Sequence, residues 1–189
     1  ESPMRETHKA VLKLAKKNNA IISFDTNIRL PLWSSAEACQ ETVREFLPYA
    51  DLVKLSDEEC FFVTGKHSIL DAADWLFEQG CKMVLYSMGK EGAMILTPHF
   101  SSHVENPEVR VKDTTGAGDA IIGAYLYCLA KNHITVSQLA DCLPEQVQEW
   151  LTFAVYYANY SITKSGAIAS YPDYTTFVKW MQEKRKKAH

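Results

Sequence analysis

Residues 111–120 read Val-Lys-Asp-Thr-Thr-Gly-Ala-Gly-Asp-Ala and lead directly into an apolar segment, residues 121–130. The apolar side chains of that segment recur at the spacing of a helix. Gly116 and Gly118 leave the backbone uncovered, and the first turn of a helix has unpaired N–H groups at the positive end of its dipole. The stretch therefore predicts a loop and a helix N-terminus that together bind an anion, most commonly phosphate.

Asp119 lies inside this predicted anion site. A bound phosphate repels a carboxylate, so the position indicates another task, which is to accept the proton of a hydroxyl that attacks phosphorus. The alternative is structural, because an Asp in the first turn complements the helix dipole and Asp113 or Thr115 could cap the helix. Other phosphate-binding loops do not match: Ile121 replaces the third glycine of a dinucleotide-binding loop, and Gly65-Lys66-His67 lacks the Ser or Thr of a Walker A loop.

The composition is that of a soluble globular chain, with 47% hydrophobic and 23% charged residues among 189. A formal net charge of −3 gives no reason to expect nucleic acid or acidic membranes as partners. Five cysteines, never in C-x-x-C spacing, predict reduced and mostly buried thiols of a cytoplasmic protein. We see no membrane-spanning apolar run and no signal peptide. Because the first residues are Glu-Ser-Pro, we expect the chain to be cut from something longer.

Segments of strand and helix character alternate along the chain. Strands are predicted at residues 20–25, 52–55, 83–87 and 93–97, and helices at 3–18, 34–47, 56–65, 68–79, 121–130, 144–163 and after Pro172. Residues 34–37 and 56–59 both fit the capping-box pattern, a Ser with a Glu three positions later. Val11, Leu12, Leu14 and Ala15 are expected to form part of the buried face of the first helix. The order predicts one α/β domain over residues 1–189, with a mainly parallel sheet flanked by helices.

Polar residues follow the predicted strands at several places. The clusters are Asp25-Thr26-Asn27 with Arg29, Ser56-Asp57-Glu58-Glu59, Ser87-Met88-Gly89 and the central loop. In open α/β sheets ligands bind beyond the carboxyl ends of the strands. We therefore expect the four clusters to line one crevice.

Five stretches resemble signatures of the ribokinase-like (PfkB) carbohydrate kinases. Residues 113–119 resemble D-T-x-G-A-G-D, residues 24–33 the F-D-x-N-x-R-x-x-L-W segment of fructokinases, residues 54–59 K-x-N-x-x-E in its S-D-E-E form, residues 87–93 T-x-G-x-x-G, and residues 163–172 T-x-K-G-A-x-x-S-x-P. The resemblance implies ATP-dependent phosphorylation of a ketohexose, fructose first, with 2-keto-3-deoxygluconate or another sugar as the alternative acceptor. The alternative from another class is a non-catalytic, kinase-like module that binds nucleotide or serves a structural role.

The resemblance also implies roles for single residues of the central loop. Asp119 would be the base that deprotonates the attacking sugar hydroxyl. The N–H groups of Gly116, Ala117 and Gly118 would hold the transferring γ-phosphoryl. Arg29 would reach the phosphates or the acceptor, and its alternative is an ordinary exposed or salt-bridged arginine.

Nucleotide and metal contacts follow from the same resemblance. The implied ATP contacts are Ser56, Ser87, Gly89, Gly92, Gly116, Gly118 and Val155. Val155 occupies the position that usually holds an adenine-side Asn, while Asn159 lies one helical turn out of register. Glu59 would hold Mg²⁺ through water, and the capping box is its alternative role. The positions that bind a monovalent cation, usually K⁺, are Asp113, Thr115 and Ser170, with carbonyls near Gly166.

The resemblance stops short of the sugar-binding region. Family members begin with an early sugar-binding Asp, a G-G-x-x-x-N stretch and small strands that form a lid and often mediate dimerisation. Nothing in this sequence matches these features. We therefore expect most contacts to the sugar, and a homodimer contact through the lid, to lie outside these 189 residues, and we expect the isolated chain to lack sugar turnover.

Overall fold

The structure, a computed structural model, describes residues 3–187. Its helices are α1 (Met4–Lys17), α2 (Ala36–Phe46), α3 (Asp57–Thr64), α4 (Ile69–Glu78), α5 (Ala117–Lys131), α6 (Pro144–Ser161) and α7 (Tyr174–Lys187), and its strands are β1 (Ser23–Asp25), β2 (Leu52–Ser56), β3 (Met83–Ser87), β4 (Ala93–Leu96) and β5 (Ser101–Val104). Strand β5 was not predicted. Its sequence Ser-Ser-His-Val carries a single strand-forming residue, so the hydrophobic pattern is too weak to predict a strand there.

The strands form a five-stranded sheet in the order β1-β2-β3-β4-β5. Strands β1, β2 and β3 are parallel, with Asp25 paired to Lys54 and Ser56 paired to Ser87. Strand β2, which lies between β1 and β3, is buried on both faces. Its residues Leu52, Val53 and Leu55 are fully inaccessible, as expected inside a parallel sheet. The carboxyl ends of the three strands therefore meet at one edge, and this brings three of the four predicted polar clusters side by side.

Local signals placed most helix ends correctly. Ser56 and Glu59 form the predicted capping box at the start of α3, and Gly65 ends that helix in the left-handed conformation at φ 74°. The start of α2 differs from the prediction, because Ser35 rather than Ser34 is the N-cap. The backbone of Ser35 is extended, and its hydroxyl accepts the N–H of Ala38 at 3.1 Å.

The predicted buried face of α1 is wrong for this chain. Val11 and Leu14 are 56% and 61% exposed, and no described residue of α1 is buried. Helical periodicity shows that a helix has an apolar stripe, but it does not supply a partner for that stripe. Leu12 and Ala15, also on this stripe, are only half-buried.

The chain divides into two compact units. The first contains the residues up to Ser87 together with Ile95–Ser101 and Ile134–Cys142, and the second contains Met88–Met94, Ser102–His133 and the residues from Leu143 onward. In the first unit α2, α3 and α4 accompany the parallel strands. In the second unit α5 packs along α6. The expectation of a single domain stays a prediction.

The core of the second unit is strongly aromatic. Tyr125 on α5 is fully buried, as is Phe177 on α7. The Phe177 ring meets Phe153 and Tyr157 of α6 edge-on, at centroid distances of 4.9 and 5.0 Å. Rings in this T-shaped arrangement add attraction to the area they bury, so α6 and α7 are joined well beyond simple hydrophobic contact.

All five cysteines are free and buried, as predicted. Burial raises the pKa of Cys81 to about 11 and that of Cys128 to about 12, so both are inert thiols at neutral pH. None of the helices formed by residues 3–187 combines the length and the hydrophobicity that a bilayer span requires.

Candidate active site

Gly116 immediately precedes helix α5. It is the N-cap, with φ 78° and ψ 5°, a left-handed conformation that glycine adopts without strain. A Cβ placed at this position would lie 2.7 Å from the Tyr171 hydroxyl and 2.9 Å from Cβ of Ala167. Backbone conformation and space thus both require glycine at position 116.

The N–H groups of this loop are not equivalent. That of Ala117 donates to the carbonyl of Thr114 at 3.1 Å, so it is already used within the loop. Within residues 3–187, the N–H groups of Gly116 and Gly118 donate no hydrogen bond. The predicted set of three donors is therefore reduced to two, both at the positive end of the helix dipole.

Asp119 is the third residue of α5 and its side chain is exposed. Its carboxylate accepts no hydrogen bond from any other part of the described chain. It lines a cavity of about 300 Å³ whose other walls are mainly the aromatic rings of α5, α6 and α7. An ionisable oxygen that is neither capping a helix nor paired with a cation is available to act on a ligand.

Asp113 ties the loop before α5 to the loop after α6. One of its oxygens accepts the N–H of Thr115 at 2.9 Å, and the other accepts the N–H of Gly166 at 2.9 Å. The bond from Gly166, followed by those from the side chain and N–H of Thr115, lowers the pKa of Asp113 to about 2. This carboxylate is therefore ionised under all ordinary conditions.

The predicted cation-binding residues are brought together only in part. Asp113, Thr115 and Gly166 are in direct contact, whereas the Ser170 hydroxyl donates to the carbonyl of Ala167 at 2.7 Å. Ser170 is 1% exposed. Each oxygen of Asp113 retains a second lone pair, and an ionised carboxylate is a suitable ligand for a hard cation.

The loop with the predicted nucleotide contacts is held by a chain of amides that the sequence did not reveal. Asn106 donates to the carbonyl of Gly89 at 2.8 Å and accepts from Asn159 at 2.8 Å. Val155 is 1% exposed and offers no polar side chain, so it has no free surface for adenine. Asn159, which is out of register with the family motif, instead holds this loop indirectly, through its hydrogen bond to Asn106.

Gly92 is the second constrained glycine of this region. Its φ is 99°, and a Cβ there would lie 2.0 Å from the backbone carbonyl oxygen of Val104. Real atoms never approach so closely, so only glycine lets the two backbone segments meet. The T-x-G-x-x-G likeness at residues 87–93 thus includes a packing requirement at its last glycine.

Glu59 in the first unit is fully engaged. One carboxylate oxygen accepts the N–H of Ile28 at 2.7 Å and the other accepts the N–H of Ser56 at 2.9 Å. Burial raises the pKa of Glu59, but these two bonds, the Lys54 ammonium and Thr26 together outweigh it and hold the pKa below its usual range. Each oxygen retains one lone pair, which suits a contact to Mg²⁺ through water.

A buried ion pair accompanies Glu59. Lys54 is 7% exposed, and its Nζ lies 3.1 Å from Oδ1 of Asp25. Burial raises the pKa of Asp25 above its usual range, with a further contribution from the charge of Glu59, although Lys54 opposes the change. From the sequence, Asp25 was expected only to line the crevice and Lys54 only to match a family motif, and their pairing was not predicted. Their signal was the pairing of two strand ends, which only the register reveals.

The other predicted residues of this edge are close by. The Ser87 hydroxyl donates to the carbonyl of Leu55 at 3.3 Å. Arg29 is exposed, and its guanidinium bonds only to the carbonyl of Ile28 at 3.3 Å within the described chain. Asn27, next to it, has φ 38°, a conformation that non-glycine residues adopt rarely. No group of three or more His, Cys, Asp or Glu among residues 3–187 could hold a metal by itself.

Sequence comparison matches residues 1–174 to the pfkB family of carbohydrate kinases. The chain belongs to this family. The family match spans both the unit with Glu59 and the unit with Asp119.

Similar proteins and solved structures agree with this family match. Fructokinase-2 of Solanum habrochaites is 34% identical over 171 residues, which cover 90% of this chain and 51% of that protein. The structure of Xylella fastidiosa fructokinase with bound ATP superposes with a TM-score of 0.90 at 26% identity, over 98% of this chain and 59% of that one. The structure of a double mutant of Vibrio cholerae O395 fructokinase, in fructose, ADP and potassium ion bound form, superposes with a TM-score of 0.84 at 28% identity. The match covers 96% of this chain and 56% of that one.

These values confirm the ribokinase-like α/β fold that the motifs predicted, with its mostly parallel sheet and flanking helices. The chain spans about half the length of the plant relative that it matches.

Proposed function

We propose that this chain is the ATP-binding and base-carrying portion of a sugar kinase that transfers the γ-phosphoryl of ATP to a ketohexose hydroxyl, most favourably that of fructose. The observation that carries the proposal is the start of α5. There an exposed carboxylate, Asp119, stands beside the unpaired N–H groups of Gly116 and Gly118. A purely structural helix start needs no such combination.

The arrangement divides the work of phosphoryl transfer between two kinds of group. Asp119 accepts the proton of the attacking hydroxyl, a contribution typically worth a factor of about 10² to 10⁴. The N–H groups of Gly116 and Gly118 and the helix dipole stabilise the negative charge on the transferring phosphoryl. Because these donors are held by the fold before any ligand binds, no reorganisation is needed during the reaction.

Metal ions have separate places in this proposal. Glu59 holds Mg²⁺ through water, because each of its oxygens accepts only one backbone N–H group and keeps a lone pair for a water molecule. Bound Mg²⁺ neutralises charge on the phosphates of ATP. Asp113, Thr115 and Ser170, with carbonyls near Gly166, take K⁺, which is the ion named with the Vibrio cholerae fructokinase structure. Asp113 is the charged member of this set, whereas Thr115 and Ser170 offer neutral oxygens.

The preference for fructose has its support in the relatives rather than in contacts to a sugar. The similar plant protein is a fructokinase, and the Vibrio cholerae structure contains fructose and ADP. Residues 24–33 and 54–59 carry the forms of the motifs typical of fructokinases. Arg29, exposed at the end of β1, is placed to meet a phosphate or an acceptor.

The decisive experiment measures kcat/KM of the full-length gene product with ATP for fructose, 2-keto-3-deoxygluconate and ribose, because this ratio reports discrimination in the transition state. Fructose should give the highest value. A preference for the keto-acid would replace the acceptor and leave the kinase chemistry in place. Nucleotide binding without transfer to any of the three sugars would favour the non-catalytic module.

Three further expectations belong to the same proposal. The protein acts in the cytoplasm, for which five free, buried cysteines are the support. Its partners are a small sugar and, through the lid segment of the family, a second copy of itself, with no nucleic acid or membrane partner. Light scattering of the full-length product tests the dimer, and fractionation of its native cells tests the location.

A further inference from the structure

The backbone unit between Gly116 and Ala117 is held at both ends. Its carbonyl oxygen accepts the Tyr171 hydroxyl at 2.9 Å and the N–H of Ala120 at 2.8 Å. Its N–H donates to the carbonyl of Thr114 at 3.1 Å. Because a peptide unit is planar, fixing its C=O and its N–H fixes the whole plane. The two unpaired N–H groups, of Gly116 and Gly118, belong to the peptide units immediately before and after this one, so its orientation contributes to theirs.

Tyr171 is the only one of these partners that comes from a distant part of the sequence, 55 residues beyond Gly116. Its hydroxyl also occupies the space over Gly116, since a Cβ there would lie 2.7 Å away. The left-handed conformation of Gly116 is accessible to glycine in many loops, so by itself it does not hold one geometry. A hydroxyl that fills the space and bonds the carbonyl does hold it.

The Tyr171 ring lies 6.2 Å from that of Tyr157, a contact that does not use the Tyr157 hydroxyl. That hydroxyl donates instead to the carbonyl of Pro172 at 3.2 Å. Tyr171 and Asp119 line the same cavity. Burial, and then the charge of Asp119, raises the pKa of Tyr171, so the hydroxyl keeps its proton and remains a donor.

We propose that Tyr171 is a positioning residue of the phosphoryl-transfer site, whose hydroxyl holds the Gly116–Ala117 peptide so that the Gly116 and Gly118 N–H groups converge on one anion. The role rests on the proposed function, because it assigns a purpose to the loop that carries Asp119. Tyr171 acts through Gly116 and does not touch the reacting atoms.

The test compares Tyr171→Phe with Tyr157→Phe, which removes a similar tyrosine-to-carbonyl bond from the same cluster but not from the glycine loop. Amide hydrogen exchange is measured at Ala117 and Ala120 and normalised to Ala154 in α6. Losing one ordinary hydrogen bond should speed exchange at the loop amides about 2- to 10-fold in Tyr171→Phe. In Tyr157→Phe the normalised rates should stay at the wild-type value.

Kinetics of the full-length product supply the second measurement. Tyr171→Phe should lower kcat about 10-fold with little change of KM for ATP, because misdirected donors weaken the transition state more than the bound ground state. Unchanged loop exchange in Tyr171→Phe, or equal acceleration in both variants, would overturn the positioning role. Absence of sugar phosphorylation by the wild-type protein would instead contradict the proposed function, and the exchange comparison would still decide the role of Tyr171.

Discussion

Glu59 and Asp119 occupy the same position in two helices and are used in opposite ways. Each is the third residue of its helix, α3 or α5. Glu59 is 8% exposed, and both of its oxygens accept backbone N–H groups. Asp119 is exposed, and its carboxylate accepts no hydrogen bond within residues 3–187. The carboxylate in the first turn of α3 thus pairs with backbone N–H groups, whereas that of α5 stays unpaired. We call these the closed and the open helix end.

The residue before each helix explains the difference. Ser56 accepts the N–H of Glu59 and donates its own N–H to that carboxylate, so the cap and the acid satisfy each other. Gly116 has no side chain to accept an N–H, and no side-chain cap replaces it. The start of α5 therefore keeps unpaired donors for a ligand. The comparison teaches that in this chain a glycine cap leaves backbone N–H groups unpaired beside the acid, whereas a serine cap uses them and leaves the acid only its remaining lone pairs.

The largest expected effect is on the open helix end. Asp119→Asn in the full-length product should lower kcat at least ~10²-fold while ATP still binds, because the positioned base is lost and the shape is kept. The matched control is Asp71→Asn, an exposed acid that is also the third residue of its helix, α4. A steady-state assay that shows equal, near-normal rates for both variants would reduce Asp119 to a complement of the helix dipole.

Gly116→Ala tests whether the open cap tolerates a side chain. We expect the free energy of unfolding to fall by about 2–3 kcal/mol, from left-handed strain and from the contacts with Tyr171 and Ala167. Gly123→Ala, inside α5 with open space around its Cβ, should instead stabilise the protein by about 0.5–1 kcal/mol. Urea unfolding measures both. A neutral Gly116→Ala would mean that the loop packs differently from this structure.

Glu59→Gln tests the closed helix end. The amide keeps one acceptor but turns an N–H₂ group toward a backbone N–H, so we expect a loss of about 1.5–3 kcal/mol in the free energy of unfolding. Glu58→Gln, exposed in the same turn, should change it by less than about 0.5 kcal/mol. Equal effects of the two substitutions would show that the bonds from Ile28 and Ser56 are not formed in solution.

The smallest effect is a dependence of stability on pH. The pKa of Asp113 is lowered from 3.8 to about 2 in the folded chain, so its ionised form contributes stability that is fully present above pH 3.8. That contribution is lost as the pH falls toward 2, where the folded state must also take up the proton. Thermal unfolding between pH 5 and pH 2 should therefore show a shallower decline for Asp113→Asn than for the wild type. Identical declines would contradict the bonds to Thr115 and Gly166.

Much of the fold was accessible to sequence reasoning, because its signals are local. Strand β3 was predicted with its observed bounds, Met83–Ser87. The capping box of α3 and its glycine end were also predicted correctly. These features depend on side chains and backbone groups within one helical turn or along one strand, so the residues that interact are neighbours in the sequence. The exposed face of α1 shows the limit, since a periodic pattern does not contain its partner.

The long-range contacts within each unit were decided by tertiary structure. Lys54 pairs with Asp25 across 29 residues, and Tyr171 reaches Gly116 across 55. The amide chain from Asn159 through Asn106 to Gly89 spans 53 and then 17 residues. No spacing rule connects positions so far apart, because they meet only after strands have paired in register and helices have packed.

The sequence by itself therefore determined the family, the glycine loop and the place of Asp119, which are properties of contiguous residues and of the helix that follows them. Only the tertiary structure decided that the N–H of Ala117 is already used, that Val155 is buried, and that both oxygens of Glu59 are occupied. Motifs record which chemical groups are present. Whether a group is free to act depends on which distant groups the folded chain brings within hydrogen-bonding distance of it.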